Sequence, residues 1–305
     1  MKIRLGKHIE EAIKNNLPIV ALESTIISHG MPYPENVETA ILCEQMVRDN
    51  GAVPATIAII EGEAVVGLSL EEIEHIGKLG EQVVKVSRRD IPYVMAKKLN
   101  GATTVSATMI LANMANIHVF ATGGIGGVHK KAEVTMDIST DLDELSRTNV
   151  CVVCAGAKAI LDLEKTLEYL ETKGVLVLGY QTNKLPAFYT KTSPYDVNYR
   201  VDNPKEIAEV LKNKWDMEID GGVLVTNPIP DEFSLDEEVM NKAIDDALIE
   251  MDKLGITGKK VTPFLLSKIK DITGGESLKS NIKLVLNNCK LASLIACEYN
   301  KLWIS

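Results

Sequence analysis

Aromatic residues are scarce in this 305-residue chain: four Phe, eight Tyr and two Trp make up 5% of it. Large rings therefore cannot fill the interior, and the core has to be aliphatic and rich in alanine. Cysteine is sparse too. Five thiols are too few, and odd in number, to frame a disulfide-stapled domain, which favours a reducing compartment. No window approaches the roughly 18 uncharged apolar residues of a membrane span. The opening stretch MKIRLGKHIEEAIKNN lacks the continuous apolar segment of a signal peptide. Positive charge is also short: 33 Lys and Arg against 42 Asp and Glu leave a net charge of −9. That balance repels nucleic acid and anionic membrane, and it looks unhelpful for binding a phosphorylated metabolite. What remains, 46% hydrophobic and 25% charged, is the composition of a globular protein, expected in the cytoplasm.

Short aliphatic runs alternate with helical patterns along most of the chain. Strands are expected at Pro18–Leu22, Ala55–Ile60, Val83–Val86, His118–Ala121, Val150–Cys154, Val175–Leu178 and Gly222–Val225. Amphipathic stretches lie between them at Asn36–Asn50, Ser69–Leu79, Thr104–Ala115 and Lys158–Lys173, and Ser69 with Glu72 reads as a capping box. Such alternation with apolar, non-alternating strands predicts an α/β fold: a largely parallel or mixed sheet covered by helices. The last seventy or so residues read instead as three helices, Asp236–Leu254, Pro263–Ile272 and Glu276–Tyr299, with Gly274–Gly275 as a break. No Pro- or Ser-rich linker and no repeat divides the chain, so residues 1–305 are read as one catalytic α/β domain with a helical C-terminal portion.

In open α/β sheets ligands bind beyond the carboxyl ends of strands, so polar residues there are the first candidates. Glu23, directly after the first such strand, would sit partly desolvated, where its pKa rises and it can serve as general acid or base. The alternative is a carboxylate that caps the next segment or pairs with an arginine. Lys85, Arg88 and Arg89 place three cations within five residues, enough to hold a phosphate, or simply a solvated basic patch. Thr122 to His129 holds four glycines in five residues, which would let backbone N–H groups converge on an anion. It is neither a Walker loop nor a dinucleotide fingerprint.

The segment Asp137-Ile138-Ser139-Thr140-Asp141 offers two carboxylates and two hydroxyls to a hard divalent cation. It can equally N-cap a helix over Leu142–Arg147, the reading favoured by residue types alone. Cys151 and Cys154 have C-x-x-C spacing, but period-2 geometry in a strand directs them to opposite faces, and buried apolar thiols are expected. Lys158 follows Ala-Gly-Ala at a strand end and an expected helix start. Burial and a helix N-terminus both favour a neutral, nucleophilic amine there, against the alternative of a lysine reaching solvent. The stretch from Tyr180 to Val197, aromatic-bearing in an aromatic-poor chain, looks like a loop over a site or a subunit contact. A lysine, a desolvated glutamate and an oxygen-ligand metal position together fit Schiff-base or sugar chemistry on a small phosphorylated substrate.

The strings ALESTIISHGMPYPEN, KVSRRD, ATTVSATM, FATGGIGGVH, DISTDLDEL, VVCAGAK, GYQT, LPAFY and ESLKSNI with the later Asn287–Asn288 pair occur in one order over about Leu22 to Asn288. In that series the chain resembles the pseudouridine-5′-phosphate glycosidase family. The resemblance implies a C-glycosidase that reversibly converts pseudouridine 5′-phosphate and water into uracil and ribose 5-phosphate. It implies that Lys158 carries a covalent imine adduct with ring-opened ribose, and that Glu23 is the acid/base. Asp137 would hold Mn²⁺, one ion per subunit, largely through water. Lys85, Val105 and Ser139–Asp141, Thr140 being variable, would bind substrate, and Thr122, His129 and Asn281 would complete the pocket. An α/β/α fold and a homotrimer are likewise implied. A Schiff-base aldolase or lyase on another phosphosugar would use the same Lys–Glu pair, and a binding protein that has lost turnover is the non-enzymatic alternative.

Overall fold

The computed structural model describes residues 3–256, 258 and 261–304. In chain order its elements are β1 (Arg4–Leu5), α1 (Lys7–Lys14), β2 (Ile19–Leu22), α2 (Glu35–Asp49), β3 (Val53–Ile60), β4 (Glu63–Val66) and α3 (Leu70–Leu79). There follow β5 (Val84–Val86), α4 (Ile91–Ala96), β6 (Gly101–Thr103), α5 (Val105–Met114), β7 (Val119–Ala121) and β8 (Val128–His129). Next come α6 (Ala132–Thr135), α7 (Thr140–Leu145), β9 (Cys151–Cys154), β10 (Leu161–Asp162), α8 (Leu163–Thr172) and β11 (Leu176–Tyr180). The chain closes with β12 (Tyr199–Val201), α9 (Pro204–Asp216), β13 (Val223–Thr226), α10 (Glu237–Leu254), α11 (Val261–Ile272) and α12 (Glu276–Ile304).

Strands β3, β2, β7, β9, β13, β11 and β12 lie side by side and parallel, and β4 and β6 join β3 antiparallel. The sheet is therefore mixed but mostly parallel, as expected of near-continuous apolar strands buried on both faces. The antiparallel strands have a geometric origin. Leu22, the last residue of β2, pairs with Thr56, and β3 runs on to Ile60. That overhang pairs with β6, which carries β5 beside it in parallel. Thr103 at the end of β6 is thereby tied to the end of β2: its amide donates to the Ser24 hydroxyl at 2.8 Å, and the Thr25 hydroxyl donates to its carbonyl at 2.8 Å. Lys85 on β5 and the first turn of α5 arrive next to Glu23 by this route.

Helix α12 packs on α2, α9, β2, β7 and β9, with α2 against β3 and α9 against β12, while α5 lies against β2, β3 and α7, giving an α/β/α sandwich. Ala, Val, Ile and Leu dominate the core, with Phe120 and Phe188 its two fully buried phenylalanines. The Ser69 box is formed: its side chain accepts from Glu72 N, and the Glu72 carboxylate accepts from Ser69 N at 2.8 Å. The 158–173 expectation needs correction. No helix begins at Lys158; the chain turns there, forms β10 against β8, and enters α8 at Leu163. Asp162 caps that helix by accepting from Lys165 N.

Candidate active site

A cleft of about 340 Å³ opens where the carboxyl ends of β2, β7 and β9 meet β5 and the start of α5. Glu23, Lys85, Val105, His129, Asp137, Ser139, Thr140, Asp141 and Lys158 all line it. A recess of about 50 Å³ shares Glu23, Lys85 and Lys158 with the cleft and reaches Phe188 and Asn281. Ten of the eleven residues expected to act thus face one connected space. The eleventh, Thr122, stands behind it.

Glu23 leaves β2 just before a π-helical turn at Ile26–Gly30, and its carboxyl is enclosed by neighbouring atoms. Burial lifts its pKa above the ordinary value and outweighs the pull of the Lys158 cation, the Thr122 hydroxyl and Lys85 in the opposite direction; Asp141 adds to the rise. The carboxyl therefore keeps its proton further into neutral pH than a surface glutamate does. The Thr122 hydroxyl donates to Glu23 Oε1 in a short hydrogen bond, so Thr122 aims the carboxyl rather than lining the cleft.

The basic cluster divides. Arg88 Nε and Nη2 donate to the two Glu144 oxygens at 2.6 and 2.9 Å, and Glu144 is buried, so this guanidinium is committed to structure. Lys85 and the exposed Arg89 line the cleft. An expectation of three phosphate-facing cations is thereby corrected to two.

The glycine-rich loop is corrected in a different way. None of its four glycines sits at positive φ. Size is what the loop requires: a Cβ on Gly126 would stand 2.2 Å from Ser139 Oγ and 2.8 Å from Asp141 Oδ2. Five of the amides from Thr122 to His129 are used inside the protein: Thr122 N on Val153 O at 3.0 Å, Ile125 N on Gly156 O at 3.1 Å, Gly126 N on Asp141 Oδ2 at 2.9 Å, Val128 N on Thr166 Oγ1 at 3.0 Å and His129 N on Asp137 O at 3.0 Å.

Asp141 is a strut as well. Its second oxygen accepts from Ser106 N in the first turn of α5 at 2.9 Å, fastening that helix terminus to the loop. Ser139 caps α7 by accepting from Asp141 N, as residue types alone favour. Val105, the first residue of α5, lines the cleft and brings the positive end of that helix dipole beside it, a setting that suits an anion.

His129, on β8, has its pKa lowered by burial, with Lys158 and Lys85 adding to the fall and Asp137 opposing it, so the ring is neutral at pH 7. Its backbone amide donates to Asp137 O at 3.0 Å. Among the described residues no three His, Cys, Asp or Glu side chains gather as a metal-ligand group. The donors at this wall are the Asp137 carboxylate and the hydroxyls of Ser139 and Thr140. So few protein donors fit a hard divalent cation that keeps most of its water, and do not fit structural zinc.

Cys151 and Cys154 are free, fully buried thiols on β9, and burial pushes Cys154 up to about 12, so neither is a ligand or a redox centre. The loop after β11 does fold over the site. Phe188 N donates to Ala155 O at 3.0 Å, and the Phe188 ring would meet a Cβ on Gly124 at 2.6 Å. Residue-type reasoning missed Thr25, Thr104, Met136 and Thr262, which also line the cleft. None stands in a charged or glycine-rich pattern, and Thr262 reaches the cleft only because α11 folds back.

A family model described as indigoidine synthase A like protein matches residues 8–298. A pseudouridine-5′-phosphate glycosidase of Clostridium botulinum is 60% identical over 300 residues, covering 98% of each chain. One from Escherichia coli K12 is 58% identical over 300 residues, covering 98% of this chain and 96% of its own. Among solved structures, the prealnumycin C-glycosynthase AlnA in complex with ribulose 5-phosphate superposes with a TM-score of 0.91 at 39% identity, covering 99% of this chain and 98% of its own. An indigoidine synthase A-like protein of Thermotoga maritima gives 0.88 at 34%, covering 98% and 97%. On a match that spans almost every residue, the chain belongs to the indigoidine synthase A like family and, within it, to the pseudouridine-5′-phosphate glycosidases.

Proposed function

We propose that this chain is a pseudouridine-5′-phosphate glycosidase, cleaving the carbon–carbon glycosidic bond to give uracil and ribose 5-phosphate, reversibly. The observation that carries the residue assignment is the shared cleft of Glu23, whose proton burial holds more tightly than on a surface glutamate, and the Lys158 amine. A carbon–carbon bond cannot break as an ordinary acetal does, because uracil would leave as a carbanion. The Glu23 carboxyl gives its proton to the ring oxygen of ribose, opening the ring, while Lys158 Nζ forms a bond to C1′. The Glu23 carboxylate, having lost its proton, takes one from the newly bonded lysine nitrogen and delivers it to uracil C5; the nitrogen lone pair then forms C=N as the C1′–C5 bond breaks and its electron pair stays with uracil. Water adds to the imine and expels the lysine amine, releasing ribose 5-phosphate.

Lys85, Arg89 and the start of α5 hold the phosphate. Asn281 lines the recess beside Phe188, from where it meets the base. His129 stays neutral and donates or accepts a hydrogen bond. Asp137, with the Ser139 and Thr140 hydroxyls, would hold Mn²⁺, which would supply positive charge at that wall. The protein acts in the cytoplasm as a homotrimer, expected to sediment at three chain masses. Among the described residues no helix is long and apolar enough to cross a membrane.

The test is borohydride trapping of protein with ribose 5-phosphate, read by peptide mass spectrometry. Label is expected on the peptide bearing Lys158. Lys158→Ala should lose turnover by at least about a thousandfold with an unchanged unfolding curve. Label on another lysine, or no release of uracil from pseudouridine 5′-phosphate with Mn²⁺ present, overturns the assignment. The latter result would favour an aldolase or lyase on another phosphosugar.

A further inference from the structure

The Asn287–Asn288 pair has no part in the chemistry above, yet Asn288 is fully buried on α12 with both ends of its amide engaged. Its Nδ2 donates to Thr122 O at 2.8 Å and lies 3.4 Å from Gly123 O. Its Oδ1 accepts from Asn227 Nδ2 at 3.0 Å. Asn227 follows β13, and its own amide donates to Cys154 O at 2.8 Å. Thr122 N donates to Val153 O at 3.0 Å. One side chain from the C-terminal helix thus grips the ends of β7, β9 and β13 together, and the residue it grips is the one whose hydroxyl holds Glu23. Asn287 adds a second tie, donating from Nδ2 to Pro228 O at 3.1 Å.

We infer that Asn288 is a positioning residue for the reaction: through the Thr122 carbonyl it fixes the threonine that aims the Glu23 carboxyl. The inference rests on the reading of Glu23 as the acid. The physical reason is rigidity. Thr122 begins a glycine-rich loop, the segment least able to hold its own conformation, and its hydroxyl must keep one rotamer to reach Oε1. A buried amide that satisfies two carbonyls on one side and a donor on the other leaves Thr122 a single backbone position. Glu23 is faced by the Lys158 and Lys85 cations, by the Asp141 carboxylate and by this hydroxyl. The last is tied to α12 through Asn288.

The experiment is a cycle read on Glu23 itself. Protein labelled with ¹³C-carboxyl glutamate is titrated by NMR without substrate, the Glu23 resonance being the one lost in Glu23→Gln. Thr122→Val removes a hydrogen bond to the ionised carboxylate, so Glu23 should titrate at higher pH. Asn288→Leu, neutral and similar in size, should shift it the same way and lower kcat about ten- to hundredfold with little change in KM. In the Thr122→Val background Asn288→Leu should add no further shift. Should Asn288→Leu prove too unstable to purify, Asn227→Ala, which frees the oxygen end of the same amide, carries the test with the same direction expected. A Glu23 titration unmoved by these variants, even with lowered stability, overturns the inference, as does an equal shift in both backgrounds. Undiminished turnover by Glu23→Gln overturns instead the acid assignment, and leaves the titration result standing as a statement about coupling.

Discussion

At the scale of single residues, the site depends on groups whose surroundings contradict their intrinsic preference. Glu23 is the sharpest case. Its pKa in the folded state is raised by burial, so the native protein binds this proton more tightly than the unfolded chain does. The associated stability is fully present below the unfolded value, near 4.3, and is lost as pH rises through the folded value. Glu23→Gln removes that loss. Urea unfolding should therefore find the variant gaining on the native protein as pH rises above the ordinary glutamate range; a constant difference would mean that the carboxyl is not destabilised by burial. Gly126 makes the opposite demand, for the absence of a side chain. With Ser139 Oγ 2.2 Å from its ideal Cβ, Gly126→Ala must displace the cap of α7 or the Asp141 strut. A loss of about 2–3 kcal/mol is expected, together with weaker phosphate-ester binding, measured as KM.

At the scale of elements, much of the fold was legible and part of the site was not. Seven expected strands and the helices of the C-terminal portion stand within a few residues of where periodicity puts them, because parallel strands buried on both faces leave long apolar runs. The short strands β1, β8, β10 and β12 have two or three residues and no periodicity to read. Position also could not tell Arg88 from Arg89. They are neighbours in a basic run, but one turn of chain sends Arg88 onto the buried Glu144 of α7 and leaves Arg89 at the cleft. Arg88→Ala would leave Glu144 buried with only the Thr148 hydroxyl as partner. It should cost about 2–3 kcal/mol in urea unfolding, near the lower end for a broken buried pair because Arg88 itself is half exposed. Arg89→Ala should leave stability unchanged and raise KM for the phosphate ester. At the capping box of α3, Ser69→Ala should cost about 1 kcal/mol with no effect on turnover, since α3 lies outside the cleft.

For the whole molecule, the net charge of −9 does not describe the cleft, whose lining sets Lys85, Arg89 and Lys158 against Glu23, Asp137 and Asp141. Surface charge excludes a polyanion that must lie along the protein, while one phosphate ester senses only the groups around it. The question at this scale is whether the α/β part can exist without the helical C-terminal portion. Helix α12 contributes Leu284, Val285, Leu291, Ala292 and Ile295 to the same core as Leu22 of β2, Phe120 of β7 and Val152 of β9. Removing each large member costs about 2–5 kcal/mol, so four of them together reach the whole stability of a typical domain, about 5–15 kcal/mol. A chain ending at Gly275 should therefore lose near-ultraviolet circular dichroism and bind a hydrophobic dye, while the full chain melts in one transition. It would also lose Asn288 and with it the brace on Thr122. A folded, cooperatively melting 1–275 fragment would instead divide the protein into two domains, with the active site completed by Asn281 of the second.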